Sequence, residues 1–363
     1  MHEREVRVAI AFKNFASWTG ISHIGLCVAA LTNARVLNQF GIHATVFPVK
    51  HNIDLVNSII EYNKEHKHPL THVIISAPWL SRHDMESLIK GFPDINFVIE
   101  SHSNVGFLQA DPHGMRLLLD ALELSRRHRN IRVGGNSIRF VRWMERVYGQ
   151  KIVYLPNLYP LSIHREKAWD GRSCIKIGIF GAIRPLKNFM TAAAAAVAIH
   201  KKLDVPVEIH MSFGGEGDGG DVGRAIVAMC HEVKGVKLVK HPWKPWENFI
   251  ENVGQMDLLL QPSYTESFNM ITADGISCGV PSVVSSAITW VPSYWQADSD
   301  DAMDVAEVGV FLLQNPTSIR DGIRAIKKQN KFGVKQWVKY FDSTLDKPHR
   351  SWYSCLVRWL ENK

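Results

Sequence analysis

The chain has 363 residues, of which 46% are hydrophobic and 21% charged, and it carries a formal net charge of +7. That length can bury large cores and favours two domains over one; the composition excludes a disordered chain, and no apolar run approaches the roughly 20 residues that cross a bilayer. Five scattered cysteines without a C-x-x-C, and 17 histidines without a ligand spacing, exclude a disulfide framework and give no reason to expect a metal or other cofactor.

The start, MHEREVRVAI, places two acids before its first apolar run and has no cleavage-site pattern, which predicts a cytoplasmic protein. From there short apolar runs alternate with helical patterns. Strands are expected at 6–12, 44–49, 72–77, 96–101, 131–135 and 152–157, with helices near 26–41, 54–66, 83–90, 112–125 and 137–148. Residues 157–173 lack periodicity and read as a linker. The alternation resumes with strands at 174–181, 207–213, 236–241, 257–262 and 281–286, and helices at 188–202, 221–232, 246–254 and 270–278. Repeated βα units point to parallel sheets covered on both faces. The expected fold class is α/β with two Rossmann-like domains: 1–160, a linker at 161–173, a second domain at 174–340, and an amphipathic C-terminal helix at 341–363 with Trp352, Leu356, Trp359 and Leu360 on one face. Ligands of such sheets bind outside the carboxyl ends of the strands, so two facing domains would share a cleft.

Charge is concentrated. Residues 126–151 hold eight Arg or Lys against the single acid Glu145, which accounts for the whole net charge. Arg139, Arg142 and Arg146 recur at helical spacing behind Ser137, a candidate cap. A solvated helix face is the plain reading; a local field of this size also suits an anionic partner such as nucleic acid, a phosphorylated acceptor or an anionic membrane surface.

The stretch SYTESFNMITADGISCGVPSVVSS (263–286) sets Glu266 and Asp274 eight positions apart. Within one helix that is about 800 degrees, two turns along and about 80 degrees round, so both acids border one ligand only if a helix begins between them. The strand pattern to Ser263 and the helical pattern from Met270 say that it does. The backbone N–H groups of Phe268, Asn269 and Met270 would then lie at a helix start, where an anion is favoured. FGAIRPLKN (180–188) ends an earlier strand with a turn at Gly181 and puts Arg184 and Lys187 ahead of another helix, a pair suited to a diphosphate. GEGDGG (215–220) fits G-x-G-x-x-G, but only lysines occupy the place of the ribose-binding acid, which disfavours a dinucleotide. DSDD (298–301) reads as a polar loop.

The order G-x-x-R-P-x-K-N, then G-E-G, then P-S-x-x-E-S-F-N-M-I-x-x-D-G-x-x-C-G-V-P-S resembles the retaining GT-B glycosyltransferases, specifically glycosyltransferase family 4, over about 175–286. In the first domain Gly20 matches the family's glycine-rich loop and His102, in VIESHSN, its histidine. The stretches SHSNVGFLQADPHG and YLPNLYP look similar to enzymes of phage and environmental genomes, which would place the protein in a bacterial or phage-infected cell.

The resemblance implies a transferase acting on a nucleotide-diphosphate sugar, UDP-glucose or another UDP-sugar being favoured, with no metal or other cofactor required. Arg184 and Lys187 would bind the diphosphate; which acts on the leaving phosphate stays open. Glu266 would hold donor hydroxyls, the amides of 268–270 the sugar and phosphate, and Asp274, where the family has glutamate, the ribose. His102 would position the sugar through its backbone or ring, or else is a core histidine. Trp243, with Trp246, would stack on the base or pack. For the acceptor, the basic residues Arg139, Arg142 and Arg146 favour DNA with hydroxymethylated bases; a glycan, lipid-linked or small-molecule acceptor is the alternative. An epimerase and a catalytically idle binding module are the other classes.

Overall fold

The computed structural model describes residues 5–14, 24–161, 169–171, 174–213 and 219–345. Gly20, the first four residues of the glycine-rich motif at 215–220, and the tryptophan-rich end at 352–360 lie outside them. The chain forms two compact units, one of residues 1–160 with 329–363 and one of 161–328.

The first unit runs β1 (Arg7–Lys13), α1 (Ile24–Gln39), β2 (His43–Val49), α2 (Asn52–Glu65), β3 (His72–Ser76), α3 (Arg82–Gly91), β4 (Asn96–Ser101), α4 (Val105–Leu108), α5 (Pro112–Arg127), β5 (Ile131–Gly135), α6 (Ile138–Tyr148) and β6 (Val153–Tyr154). Its six strands are parallel in the order β2-β1-β3-β4-β5-β6. Alternate residues of each strand enter different cores. Ala9, Val73, Ile75, Phe97 and Ile99 pack with Leu55, Leu88, Leu118 and Phe140 of α2, α3, α5 and α6, while Val8, Ile10, Ile74 and Val98 pack with Ala30, Ala34 and Leu37 of α1. Near-continuous apolar runs are what a sheet buried on both faces requires.

The second unit runs β7 (Ile175–Ile179), α7 (Phe189–Leu203), β8 (Val207–Ser212), α8 (Gly220–His231), β9 (Val236–His241), α9 (Trp246–Gly254), β10 (Leu258–Gln261), α10 (Met270–Ser277), β11 (Ser282–Ser285), β12 (Gln296–Ala297), α11 (Ala302–Gln314) and α12 (Ser318–Thr344). Its parallel sheet has the order β12-β11-β10-β7-β8-β9. The first strand of the unit is thus central, and the order reverses between β7 and β10, the point where doubly wound sheets bind ligands.

The sequence pattern assigns no element to 302–340 and begins a separate helix at 341, whereas α11 and α12 occupy most of 302–344. α12 crosses from one unit into the other at 328/329. The reason is burial: Val334, Trp337, Val338 and Phe341 join the β1-side core of the first unit, and the buried Trp337 indole donates to the Pro156 carbonyl at 3.0 Å. Ser137 stands at the N-cap of α6, yet its side chain makes no cap hydrogen bond; the helix ends in a left-handed Gly149 with φ of 64°.

Candidate active site

In the second unit the residues after β7 and β10 meet. Gly181 adopts φ of 117°, a conformation closed to most L side chains, and lets the chain turn off β7. A 3-10 turn, Pro185–Lys187, follows, ending in Asn188 with φ of 57°. The Asn188 amide donates to the Pro262 carbonyl at 3.0 Å and also to the Ser299 carbonyl, and Tyr264 N–H donates to Leu186 O at 3.0 Å. These bonds fasten the cation-bearing turn to the loop after β10.

Within that frame Lys187 forms an ion pair with Glu266, whose side chain is 8% exposed. The Asn269 amide donates to Glu266 Oε1 at 2.9 Å and to Gln261 Oε1 at 3.1 Å, while its own oxygen caps α10 by accepting from Thr272 N–H at 2.9 Å. Gln261 in turn donates to the Phe180 carbonyl at 3.2 Å. One polar chain therefore runs from the end of β7 through Gln261, Asn269 and Glu266 to Lys187. Asn269 holds φ of 70°, a costly conformation for a non-glycine, and its three bonds over-determine it. Arg184 is half-buried, and burial lowers its pKa from the ordinary arginine value.

α10 does begin between the two acids, at Met270, with Asn269 as its N-cap. Asp274 is nearly fully buried and accepts from the Trp246 indole N–H at 3.0 Å. Burial, with the Asp274 charge added to it, pushes the Cys278 thiol up to about 12. Of the two candidate tryptophans, Trp246 at the start of α9 reaches the acid, and the half-buried Trp243 lies in the preceding loop. Phe268 is buried, its ring stacked on Trp290 at 4.9 Å, and Trp290 donates to its carbonyl at 2.6 Å. Gln261 and Trp290 are not among the residues that the sequence pattern singles out. A glutamine ending the apolar strand LLLQ is the available signal for the first; none points to the second.

The DSDD loop serves the chain itself. Asp301 accepts from Met303 and Asp304 N–H at the start of α11, and Asp304 and Asp298 accept from Asp298 and Asp300 N–H. Among the described residues no cluster of three metal-ligating side chains occurs.

In the first unit the ends of β3, β4 and β5 carry a second polar set. His102 Nδ1 lies 3.1 Å from the Asn136 amide nitrogen, and Nε2 lies 2.9 Å from Ser76 Oγ and 3.1 Å from Glu100 Oε2. Both ring nitrogens are engaged by protein, which leaves the ring edge and main chain of His102 for any ligand. Glu100 is fully buried, and neither of its oxygens has a well-directed hydrogen bond. Glu100 is not among the residues expected from the sequence; the available signal is an acid near the end of the apolar strand NFVIES, where a buried charge is rare. Arg139, Arg142 and Arg146 lie along α6, partly to fully exposed, and Arg126, Arg127 and Arg129 lie at and just after the end of α5.

Neither family models nor curated proteins give a match to this chain. Solved structures do. Sucrose-phosphate synthase of Thermosynechococcus elongatus aligns with TM-score 0.62 at 14% identity, covering 92% of this chain and 98% of its own. Anabaena HepE in complex with UDP-glucose aligns at 0.56 and 15%, covering 98% and 100%. A point mutant of Staphylococcus aureus TarM, in complex with fondaparinux, alpha-GlcNAc-glycerol and UDP, aligns at 0.57 and 14%, covering 80% of this chain and 59% of its own. These neighbours are GT-B glycosyltransferases, and the two six-stranded parallel sheets have their fold.

Proposed function

We propose that the protein is a retaining glycosyltransferase, of the family 4 type, that moves a sugar from a nucleotide-diphosphate sugar to a hydroxyl acceptor. The observation that carries this reading is the meeting, at the strand-order reversal between β7 and β10, of Lys187 with Glu266, which accepts from the Asn269 amide, itself bonded to Gln261. A diphosphate needs positive charge where it departs, and a sugar needs a fixed acceptor for its hydroxyls. Arg184 and Lys187 supply the first and Glu266 the second. The N–H groups of the α10 start add to the anion site. Asp274, held by Trp246, binds the ribose, and Trp243 flanks the base.

In the reaction the bond between the anomeric carbon and the phosphate oxygen breaks, its electron pair leaving with the diphosphate. The acceptor oxygen bonds to the anomeric carbon on the same face, and its proton passes to the departing phosphate. No protein nucleophile takes part. UDP is the favoured nucleotide because two of the similar structures hold UDP or UDP-glucose. The arginines of α6 favour a polyanionic acceptor, DNA with hydroxymethylated bases, in a phage-infected cell.

A panel of UDP-, GDP- and ADP-sugars, crossed with hydroxymethylcytosine DNA, oligosaccharides, lipid-linked sugars and small alcohols and read by product mass, tests it. Transfer from a UDP-sugar with the anomeric configuration kept is expected. Release of nucleotide from none of the donors would refute the transferase reading, and transfer only to glycans or lipids would remove DNA.

A further inference from the structure

The buried carboxylate of Glu100 has no role in the chemistry just described, and it is an expensive group to hold. It lies fully out of solvent at the end of β4, with no well-directed hydrogen bond and one neighbour able to carry opposite charge, His102 Nε2 at 3.1 Å. A buried carboxylate so poorly satisfied lowers stability relative to an apolar group of the same shape. The surroundings are specialised in other ways. Ala77, at the end of β3, has φ of 73° and donates its N–H to the Glu100 carbonyl at 3.1 Å. Strain of that kind gathers where a structure must hold a particular arrangement. Ser76 and Asn136, both buried, close on the same imidazole from β3 and from the end of β5.

The proton on His102 can be placed from its partners. The Asn136 amide nitrogen is a donor, so Nδ1 accepts and the ring proton sits on Nε2, facing Glu100 and Ser76. The Ser76 hydroxyl and the Asn136 amide thus fix the ring plane, and the carboxylate 3.1 Å from Nε2 favours the proton on that nitrogen. We propose that Glu100 is a positioning residue: it does not meet substrate, and it sets His102 at the end of β4 so that the histidine main chain and ring edge seat the transferred sugar. The sugar-seating role rests on the glycosyltransferase reading; the Glu100–His102 arrangement stands without it.

The full-length protein carrying Glu100→Met, which keeps the side-chain length and removes the acceptor, tests the proposal, with Glu100→Gln as the conservative partner. In the wild type, nitrogen-15 NMR of the histidines at mildly alkaline pH should find His102, assigned by its loss in His102→Gln, protonated on Nε2. In Glu100→Met that N–H resonance should move upfield as the carboxylate 3.1 Å from Nε2 is lost. The melting temperature should hold or rise, while kcat for UDP-glucose-dependent transfer or hydrolysis falls about 10- to 100-fold with KM changed less than about 3-fold. Glu100→Gln, which retains an acceptor oxygen, should recover most of the rate. A wild-type His102 protonated on Nδ1 overturns the proposal even if the methionine variant does not fold. So does an unmoved Nε2–H resonance, or a rate loss that follows the melting temperature and is not recovered by glutamine. An inactive wild type would sink the glycosyltransferase reading alone, because the NMR and melting results still decide the Glu100 arrangement.

Discussion

The two sheets end in polar networks of different construction. In the second unit Gln261, Glu266, Asn269 and Asp274 come from one short segment, and the acid Glu266 is paired with a cation and bonded to an amide. In the first unit Ser76, Glu100, His102 and Asn136 come from the ends of three strands, and the acid Glu100 faces an imidazole. A paired, partly accessible charge is poised to exchange its partner for a ligand. A sealed charge can act only through the residue it holds. On the proposed reading the second unit would bind the donor and meet its leaving group while the first would position, and each half of that reading can be broken separately.

The largest effect should come from the second unit. Lys187→Ala and Glu266→Ala each break the ion pair between them and, on the proposed reading, would also remove a contact to the donor. Loss of a group that stabilises departing charge costs on the order of 10² to 10³ in rate. Steady-state kinetics should show it with circular dichroism unchanged. Wild-type turnover in either purified variant would end the contrast between the two units.

A smaller change should follow at Asp274, which accepts from the Trp246 indole. Asp274→Asn should raise the donor KM more than it lowers kcat. Trp246→Phe, which deletes one hydrogen bond to the carboxylate at 3.0 Å, should raise KM by about 5- to 30-fold, the equivalent of about 1 to 2 kcal/mol. A turnover defect at unchanged donor affinity would move Asp274 out of the ribose role.

How much of this the sequence displayed follows from the same comparison. Glu266, Asn269 and Asp274 are legible because a strand, a loop and a helix start fall within one short stretch, so spacing alone fixes which groups can meet. Arg184 and Lys187 are legible as a turn after a strand, though not that Lys187 rests on Glu266. Glu100 and Asn136 are not legible as partners of His102, because the sheet order β3-β4-β5 brings them together and chain distance does not encode it. The two last helices escape for a related reason: the second half of α12 is patterned to fill a core whose strands lie at the other end of the chain.

The basic face of α6 offers a third, weaker contrast, between attraction and chemistry. Changing Arg139, Arg142 and Arg146 together to Gln should flatten the dependence of DNA retention on salt by up to about 2.7 in logarithmic slope, at about 0.9 per phosphate contact on duplex DNA. Donor hydrolysis should be unaffected, since the residues proposed to hold the donor belong to the second unit and α6 to the first. Flotation with anionic liposomes, run in parallel, separates a membrane from DNA. Equal retention by the triple variant would remove DNA as the partner of this face.

The last contrast concerns acid stability, which should enter the two units through different histidines. In the first, His72 is fully buried against Tyr340 and Phe341, with its ring nitrogens on Thr71 and Thr344, and burial lowers its pKa to about 3. In the second, His210 Nδ1 and His241 Nε2 lie 2.8 Å apart, an arrangement that needs one donor and one acceptor, and burial lowers the pKa of both. A histidine whose folded pKa is depressed binds more protons in the unfolded state than in the folded one. Its contribution is complete above the ordinary value of 6.5 and is lost as pH falls, for His72 over the window from 6.5 down to about 3. His72 removes at most about 1.4 kcal/mol per pH unit within that window. Hydrogen exchange followed from neutral pH to mild acid should therefore show protection falling in β3 and α12 as well as in β8 and β9. His72→Gln, whose amide can still bond both threonines, should flatten the fall in the first unit and leave that of β8 and β9 as it was. An equal pH slope in β3 with and without His72 would show that this histidine does not carry the acid sensitivity of its unit.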